Sequence, residues 1–169
     1  HCKRVGISAE VLSLDIPFCY RIRHVLTETP KVSIVLNTVN NADVIERCVT
    51  SLYQQISYDN FEVVVVEVGK LDAHVKDTLA RLRERFSTFR TLHYDGVFNH
   101  ARLANFAVEQ LSSEYFFFIT DDTRILTPDA LQTMLGYFQD EQVGIVGPQK
   151  LYLDATIEHA GLVVGGEHV

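Results

Sequence analysis

Asp121 and Asp122 are adjacent carboxylates directly behind Tyr115–Ile119, the most hydrophobic run of the chain. Two neighbouring carboxylates at the mouth of a buried strand repel each other and lose solvation, and a bound cation relieves both costs. Hard ions such as Mg²⁺ and Mn²⁺ favour one or two carboxylates plus the phosphate oxygens of a substrate. The pair therefore reads as a metal–diphosphate anchor, with a simple cap on the following turn as the equal alternative. Glu67 closes a second apolar run and can accept hydrogen bonds from a ribose hydroxyl or a base N–H, as acids at strand ends do in dinucleotide sites. On its own it is better read as a solvated acid. Arg102 can pair with a phosphate through a bidentate contact, against the ordinary reading of a surface Arg. His159, within Ile157-Glu158-His159-Ala160-Gly161, is by itself more often structural than a ligand. No Ser/His/Asp or Cys/His nucleophile set is recognisable, and neither a Gly-x-Gly-x-x-Gly string nor a P-loop is present, which weakens dehydrogenase and NTPase readings.

The elements that must hold these residues alternate. Val32–Leu36 reads as a buried strand, followed by the cap-forming run Asn40-Asn41-Ala42-Asp43, with Glu46 three residues after Asp43, and a helix whose apolar face is Val44, Ile45, Cys48, Val49, Leu52 and Tyr53. Phe61–Val68 reads as a strand with four consecutive valines. A second amphipathic helix is expected over 72–86, a strand over 91–94, a third helix over 101–111 and a strand over 115–119. Thr127-Pro128-Asp129 has the form of a helix start, with the helix running to about Phe138. Val143–Val146 is expected as a fifth strand of the sheet. Residues 1–30 read as a lead-in packing on the domain, with Tyr20–Arg23 as an edge strand, and 31–169 as the domain proper. Continuous apolar strands alternating with helices imply an α/β fold with a mostly parallel sheet covered on both faces. Such sheets bind ligands at the carboxyl ends of their strands, where Asn37, Glu67, Asp121 and Asp122 fall.

Composition narrows the partners. The chain has 169 residues, and 15 Lys and Arg against 22 Asp and Glu leave a net charge of −7. That balance speaks against a nucleic-acid partner, whose binding rests on clustered basic residues. Forty-seven per cent hydrophobic residues and no dense charge tract exclude long disordered segments. No apolar run approaches the roughly 20 residues of a membrane span. No leader pattern opens the chain, and a start at His1 without Met is expected of a fragment. Cys2, Cys19 and Cys48 are odd in number and lack Cys-x-x-Cys spacing, so disulfide and zinc frameworks are not expected and a reducing, cytoplasmic setting is.

Taken together, five strings resemble the family 2 glycosyltransferases of the GT-A (Rossmann-like) fold. Val32–Asn40 resembles the opening strand and its Pro-Thr-Tyr-Asn-type turn. Phe61–Gly69 resembles the strand that usually ends in Asp-Asp/Asn-Gly-Ser. Phe98–Asn105 is similar to an Asn-Phe-Ser-x-x-x-Asn helix start. Ser113–Thr123, with Pro128 and Leu131, resembles the segment around the metal-binding Asp-x-Asp. Ala155–Gly161 resembles a Gly-Thr-Ile-Gln-His-Ala-Gly string of a bacterial polysaccharide-building subset. The matches run in order over residues 31–165.

The resemblance implies transfer of a sugar from a nucleoside-diphosphate donor to a saccharide or other hydroxyl acceptor, with inversion and with Mn²⁺ or Mg²⁺ as cofactor. It places Asn37, Val39 and Glu67 in the nucleoside pocket, and Arg102 and Asp121 near the ribose and diphosphate. Asp122 would bind the metal, and His159 would lie near the donor sugar or the acceptor. It leaves room for peripheral membrane association of the parent protein, without a transmembrane segment. The departures are Asn37 for Pro, Val39 for an aromatic, Glu67 for Asp, Lys70 in the triplet that keeps only Gly69, and Thr120 for the first Asp of Asp-x-Asp. The general base normally follows the segment where this chain stops; Asp154 and Glu158 are the nearest acids. A non-catalytic nucleotide-sugar-binding or scaffold domain of the same fold is the alternative. A phospho-acceptor signalling domain fits poorly, because it wants its acidic pair after the first strand.

Overall fold

The computed structural model describes residues 4, 6, 8–37 and 41–161. The chain divides into two compact units, Glu28–Asp129 and the segments His1–Thr27 with Ala130–Val169. The chain opens with strands β1 (Ala9–Ser13) and β2 (Tyr20–His24), an antiparallel pair in register from Ala9 opposite His24 to Ser13 opposite Tyr20. β2 covers the Tyr20–Arg23 run expected as an edge strand.

β3 (Val32–Asn37), α1 (Ala42–Gln55), β4 (Phe61–Val68), α2 (Ala73–Arg85), β5 (Phe89–Tyr94), α3 (His100–Gln110) and β6 (Tyr115–Thr120) follow. The four strands form one parallel sheet in the order β5-β4-β3-β6. Val63, Val64, Val65 and Val66 are all fully buried. Successive residues of a strand face opposite ways, so burial of all four means that both faces of the sheet are covered. On the face of Val35 and Val66, Leu103 and Ala107 of α3 complete the core. Ile45, Val49 and Leu52 of α1 and Val75, Leu79 and Leu82 of α2 are buried too, and α2 packs against both α1 and β5.

α4 (Ala130–Tyr137), β7 (Lys150–Leu151) and β8 (Ile157–His159) end the series. Within this unit the His24 and Tyr137 rings lie 5.0 Å apart. Gly136 sits where a side chain would collide with His24.

Two sequence expectations are corrected and one is narrowed. Val143–Val146 forms no strand: Ile145 is 92% exposed, and the run is broken by Gly144 and bounded by Gly147-Pro148, which weaken or remove ladder bonds. Of the cap-forming run ahead of α1, Asn41 is the cap: its side chain accepts from Val44 N at 3.2 Å. α4 begins at Ala130 rather than at Thr127-Pro128, and the Pro128 carbonyl accepts instead from Ser57 N and Oγ at 3.0 and 2.9 Å.

At the amino-terminal edge of the sheet lies a buried polar cluster that periodicity does not reveal. Glu62 is 6% exposed. Its Oε1 accepts from Ser33 Oγ at 2.6 Å and lies 3.0 Å from Lys31 Nζ. Ser113 Oγ is 2.7 Å from Ser33 Oγ, so the cluster ties β3, β4 and the start of β6. Burial pushes the Glu62 carboxyl up, but the Ser33 and Lys31 hydrogen bonds and the charges of Lys31 and Arg90 outweigh it, and the group sits below its ordinary 4.5.

A depressed carboxyl contributes stability that is complete above the unfolded value and lost as pH falls through the folded one. Glu62→Gln should therefore cost roughly 1–3 kcal/mol at pH 7. The gap between the wild-type and variant melting temperatures should narrow as pH is lowered from 5 to 3; a gap independent of pH contradicts the assigned charge.

Candidate active site at the carboxyl edge of the sheet

Because β3 to β6 are all parallel, their carboxyl ends meet at one edge. The register sets Asn37 beside Val66 on one side and Thr120 on the other. Glu67 lies opposite His93 on β5. Gly69 then turns the chain away with φ +63°, a left-handed conformation suited to glycine, and its N–H bonds Tyr94 O at 3.1 Å.

The acidic turn follows the last ladder residue. Thr123 N donates to Thr120 O at 3.1 Å, closing the turn around Asp121 and Asp122. Thr120 Oγ1 donates to Asp122 Oδ1 at 2.5 Å and lies 3.1 Å from Thr123 Oγ1. Asp121 is half-buried and Asp122 exposed. Behind them, on α1, the buried Cys48 thiol reaches toward Thr120 O at 3.9 Å. Burial first, and then the charges of Asp121 and Asp122, push that thiol up to about 12. The thiol thus registers a negative field at the strand end.

Glu67 is half-buried, with Oε2 3.9 Å from His93 Nδ1, while His93 Nε2 is 2.8 Å from Asp95 Oδ1. His93 was not singled out from the sequence. The signal that reveals it is register, since pairing β4 with β5 sets residue 93 beside residue 67. Asn37 Oδ1 is buried and receives no donor among the described residues, leaving a polar atom unsatisfied at this edge. Val39 lies outside the described residues. Arg102 is exposed in the first turn of α3, where its N–H caps onto Asn99 Oδ1 at 3.0 Å. α3 leaves from the carboxyl end of β5, so its first turn belongs to the same edge. The sheet thus gathers Asn37, Glu67, Asp121, Asp122 and the start of the Arg102 helix. His159 belongs to the other unit: it ends β8 opposite Lys150, is exposed, and its Nδ1 accepts from Gly161 N at 3.3 Å.

Among the described residues no three His, Cys, Asp or Glu side chains converge on a metal position. An adjacent carboxylate pair with hydroxyl support is nevertheless a donor set that suits Mg²⁺ or Mn²⁺, which complete their shells with water and phosphate oxygens.

Comparison with known proteins bears on this edge. Residues 33–158 match the family described as Glycosyl transferase family 2. The O-antigen biosynthesis protein RfbC of Myxococcus xanthus is 34% identical over 166 residues, 98% of this chain and 13% of RfbC. The protein y4gI of Sinorhizobium fredii is 33% identical over 96% of this chain and 18% of its own length. The chain therefore spans less than a fifth of either relative. Among solved structures, the mannosyltransferase PcManGT of Pyrobaculum calidifontis, in complex with GDP-Man and Mn²⁺, superposes with a TM-score of 0.62 at 22% identity, over 70% of this chain and 35% of that one. TarS of S. aureus (residues 1–349) superposes with a TM-score of 0.53 at 16% identity, over 66% of this chain and 33% of that one. These likenesses show that the fold is GT-A.

The field at Cys48 has a direct chemical consequence. The thiolate is the reactive form, so iodoacetamide at pH 8 should label the exposed Cys19 roughly a hundredfold faster than Cys48. Peptide mass analysis reads the two sites separately. Comparable rates would show that Cys48 is neither buried nor under the acidic pair.

Proposed function

The chain belongs to glycosyl transferase family 2, and from that premise we propose that it binds a nucleoside-diphosphate sugar at the carboxyl edge of its sheet. On this reading the parent protein transfers the sugar, with inversion, to a saccharide or other hydroxyl acceptor. Residues 31–169 are the nucleotide-sugar-binding domain, and residues 1–30 lead into it. The observation that carries the reading is the acidic turn: Asp122, tied to the end of β6 by Thr120, stands on the edge that also ends in Asn37 and Glu67. The presence of GDP-Man and Mn²⁺ with PcManGT supports the same class of ligand.

Each residue has a chemical task. Glu67 accepts hydrogen bonds from the base or ribose, and Asn37, with its unsatisfied amide oxygen, lines the nucleoside pocket with Val39. Arg102 pairs with the diphosphate, and Asp121 lies beside the ribose. Asp122 would hold a divalent cation. When bound, that cation neutralises the diphosphate and stabilises charge on the leaving group. His159 is assigned to the donor-sugar or acceptor side.

Deprotonation of the acceptor needs a base. Asp154 and Glu158 are both engaged locally. Asp154 Oδ1 accepts from Thr156 Oγ1 and N at 2.6 and 3.0 Å, bonds that hold its carboxyl below its ordinary value. Glu158 pairs with Lys150 at 3.1 Å. We therefore assign the base to residues beyond Val169. Among the described residues no helix is long and apolar enough to cross a membrane. On its three cysteines without Cys-x-x-Cys spacing, we place the reaction in a reducing, cytoplasmic setting.

Titration with UDP and with GDP tests the reading. At least one should bind about tenfold or more tightly in millimolar Mn²⁺ than in chelator. Asp122→Asn should abolish that difference. Equal affinity with and without the cation contradicts the reading. Arg102→Ala should weaken diphosphate binding by about 2 kcal/mol with the melting temperature unchanged; simultaneous unfolding would mark Arg102 as structural.

A further inference from the structure

We propose that Thr120 is a positioning residue that holds Asp122 as a one-oxygen ligand and thereby sets a preference for small six-coordinate cations over Ca²⁺. The inference rests on the reading of Asp122 as the metal ligand and goes beyond it.

Thr120 is the last ladder residue of β6, paired with Asn37, so the sheet fixes its backbone. Its Oγ1 lies 2.5 Å from Asp122 Oδ1 and 3.1 Å from Thr123 Oγ1. Asp122, as a carboxylate, only accepts, so the Thr120 proton is directed to Oδ1 and the Thr123 hydroxyl donates to Thr120. Thr123 is itself fixed by its N–H bond to Thr120 O at 3.1 Å. The hydroxyl pair therefore orients the carboxylate from outside any coordination shell, as hydrogen-bond partners of metal ligands do.

The chemical consequence follows from the two oxygens. Oδ1 spends one of its lone pairs on the Thr120 hydrogen bond, which favours Oδ2 as the ligand oxygen. Mg²⁺ and Mn²⁺ accept single carboxylate oxygens in a near-octahedral shell, whereas Ca²⁺ takes about six to eight oxygens and readily draws both from one carboxylate. A carboxylate with one oxygen already engaged is thus a poorer ligand for Ca²⁺ than for the smaller ions. Thr at 120 supplies a donor where an acid would add a third negative charge beside Asp121 and Asp122.

The test compares the affinities of the intact protein for UDP and GDP in saturating Mn²⁺ and in saturating Ca²⁺. The ratio of the two dissociation constants is the readout, and no turnover is involved. The wild type should favour Mn²⁺ by about tenfold or more. Thr120→Val keeps the shape and removes the donor; the preference should fall to within about threefold, chiefly through weaker binding in Mn²⁺. Thr120→Ser restores the donor and should restore the preference. A Thr120→Val protein of unchanged melting temperature that retains the wild-type ratio overturns the proposal, and so does a wild type with no preference. Asp122→Asn separates the two levels of the account. If it loses cation-dependent binding while Thr120→Val keeps the wild-type ratio, the inference alone fails. If it binds as the wild type does, the reading of Asp122 as a ligand fails with it.

Discussion

Two like charges at the end of a buried strand are the constraint around which this structure is organised. Asp121 and Asp122 share a tight turn behind β6. Hydroxyls support that turn, with Thr120 on Asp122 and Thr123 on Thr120. Burial first, and then the charges of the two acids, hold the Cys48 thiol on α1 protonated. A chain that carries −7 overall gains no general attraction for a diphosphate. On the proposed reading the attraction is local, and it is supplied where the two carboxylates would otherwise repel.

The sheet makes that arrangement rigid. The four valines of β4 are buried on both sides, and α3 packs onto Val35 and Val66 within a residue or two of the functional edge. At the opposite edge Glu62 is buried as well, but there the charge is matched by Lys31, Arg90 and two serines. The contrast is informative. One buried-strand acid is surrounded by partners and is structural, whereas Asp122 at the carboxyl edge is held by the Thr120 hydroxyl and stays exposed.

Much of this was legible in the residues. The period of two to three apolar neighbours followed by helical spacing located β3, α1, β4, α2, α3 and β6 to within a residue or two, because their burial is dictated by pattern alone. What pattern cannot supply is pairing. Val143–Val146 has the composition of a strand, yet Gly144 and Gly147-Pro148 deprive it of a ladder. The short pair β7 and β8 was missed because two- and three-residue strands carry no periodic signal. His93 carries no signal in pattern alone, and Thr120 shows only as a departure from Asp-x-Asp. Their importance comes from a neighbour on the adjacent strand or two residues on, and not from their own type. Ser33, Glu62 and Ser113 are distant in sequence and meet only once the sheet is assembled. Asp121, Asp122, Glu67 and Asn37 were readable because strand ends in parallel sheets are places where chemistry is expected.

Membership of glycosyl transferase family 2 and the GT-A fold make the carboxyl edge the place to look for a donor nucleotide. The relatives are far longer than this chain, which spans less than a fifth of either. The central claim concerns the edge alone, and anomalous scattering from Mn²⁺ in crystals grown with UDP or GDP addresses it most directly. The account predicts one strong peak about 2.0–2.3 Å from an Asp122 carboxylate oxygen, bridging to the diphosphate of a nucleotide lying against Asn37 and Glu67. A nucleotide bound elsewhere, or a peak remote from Asp122, would contradict it.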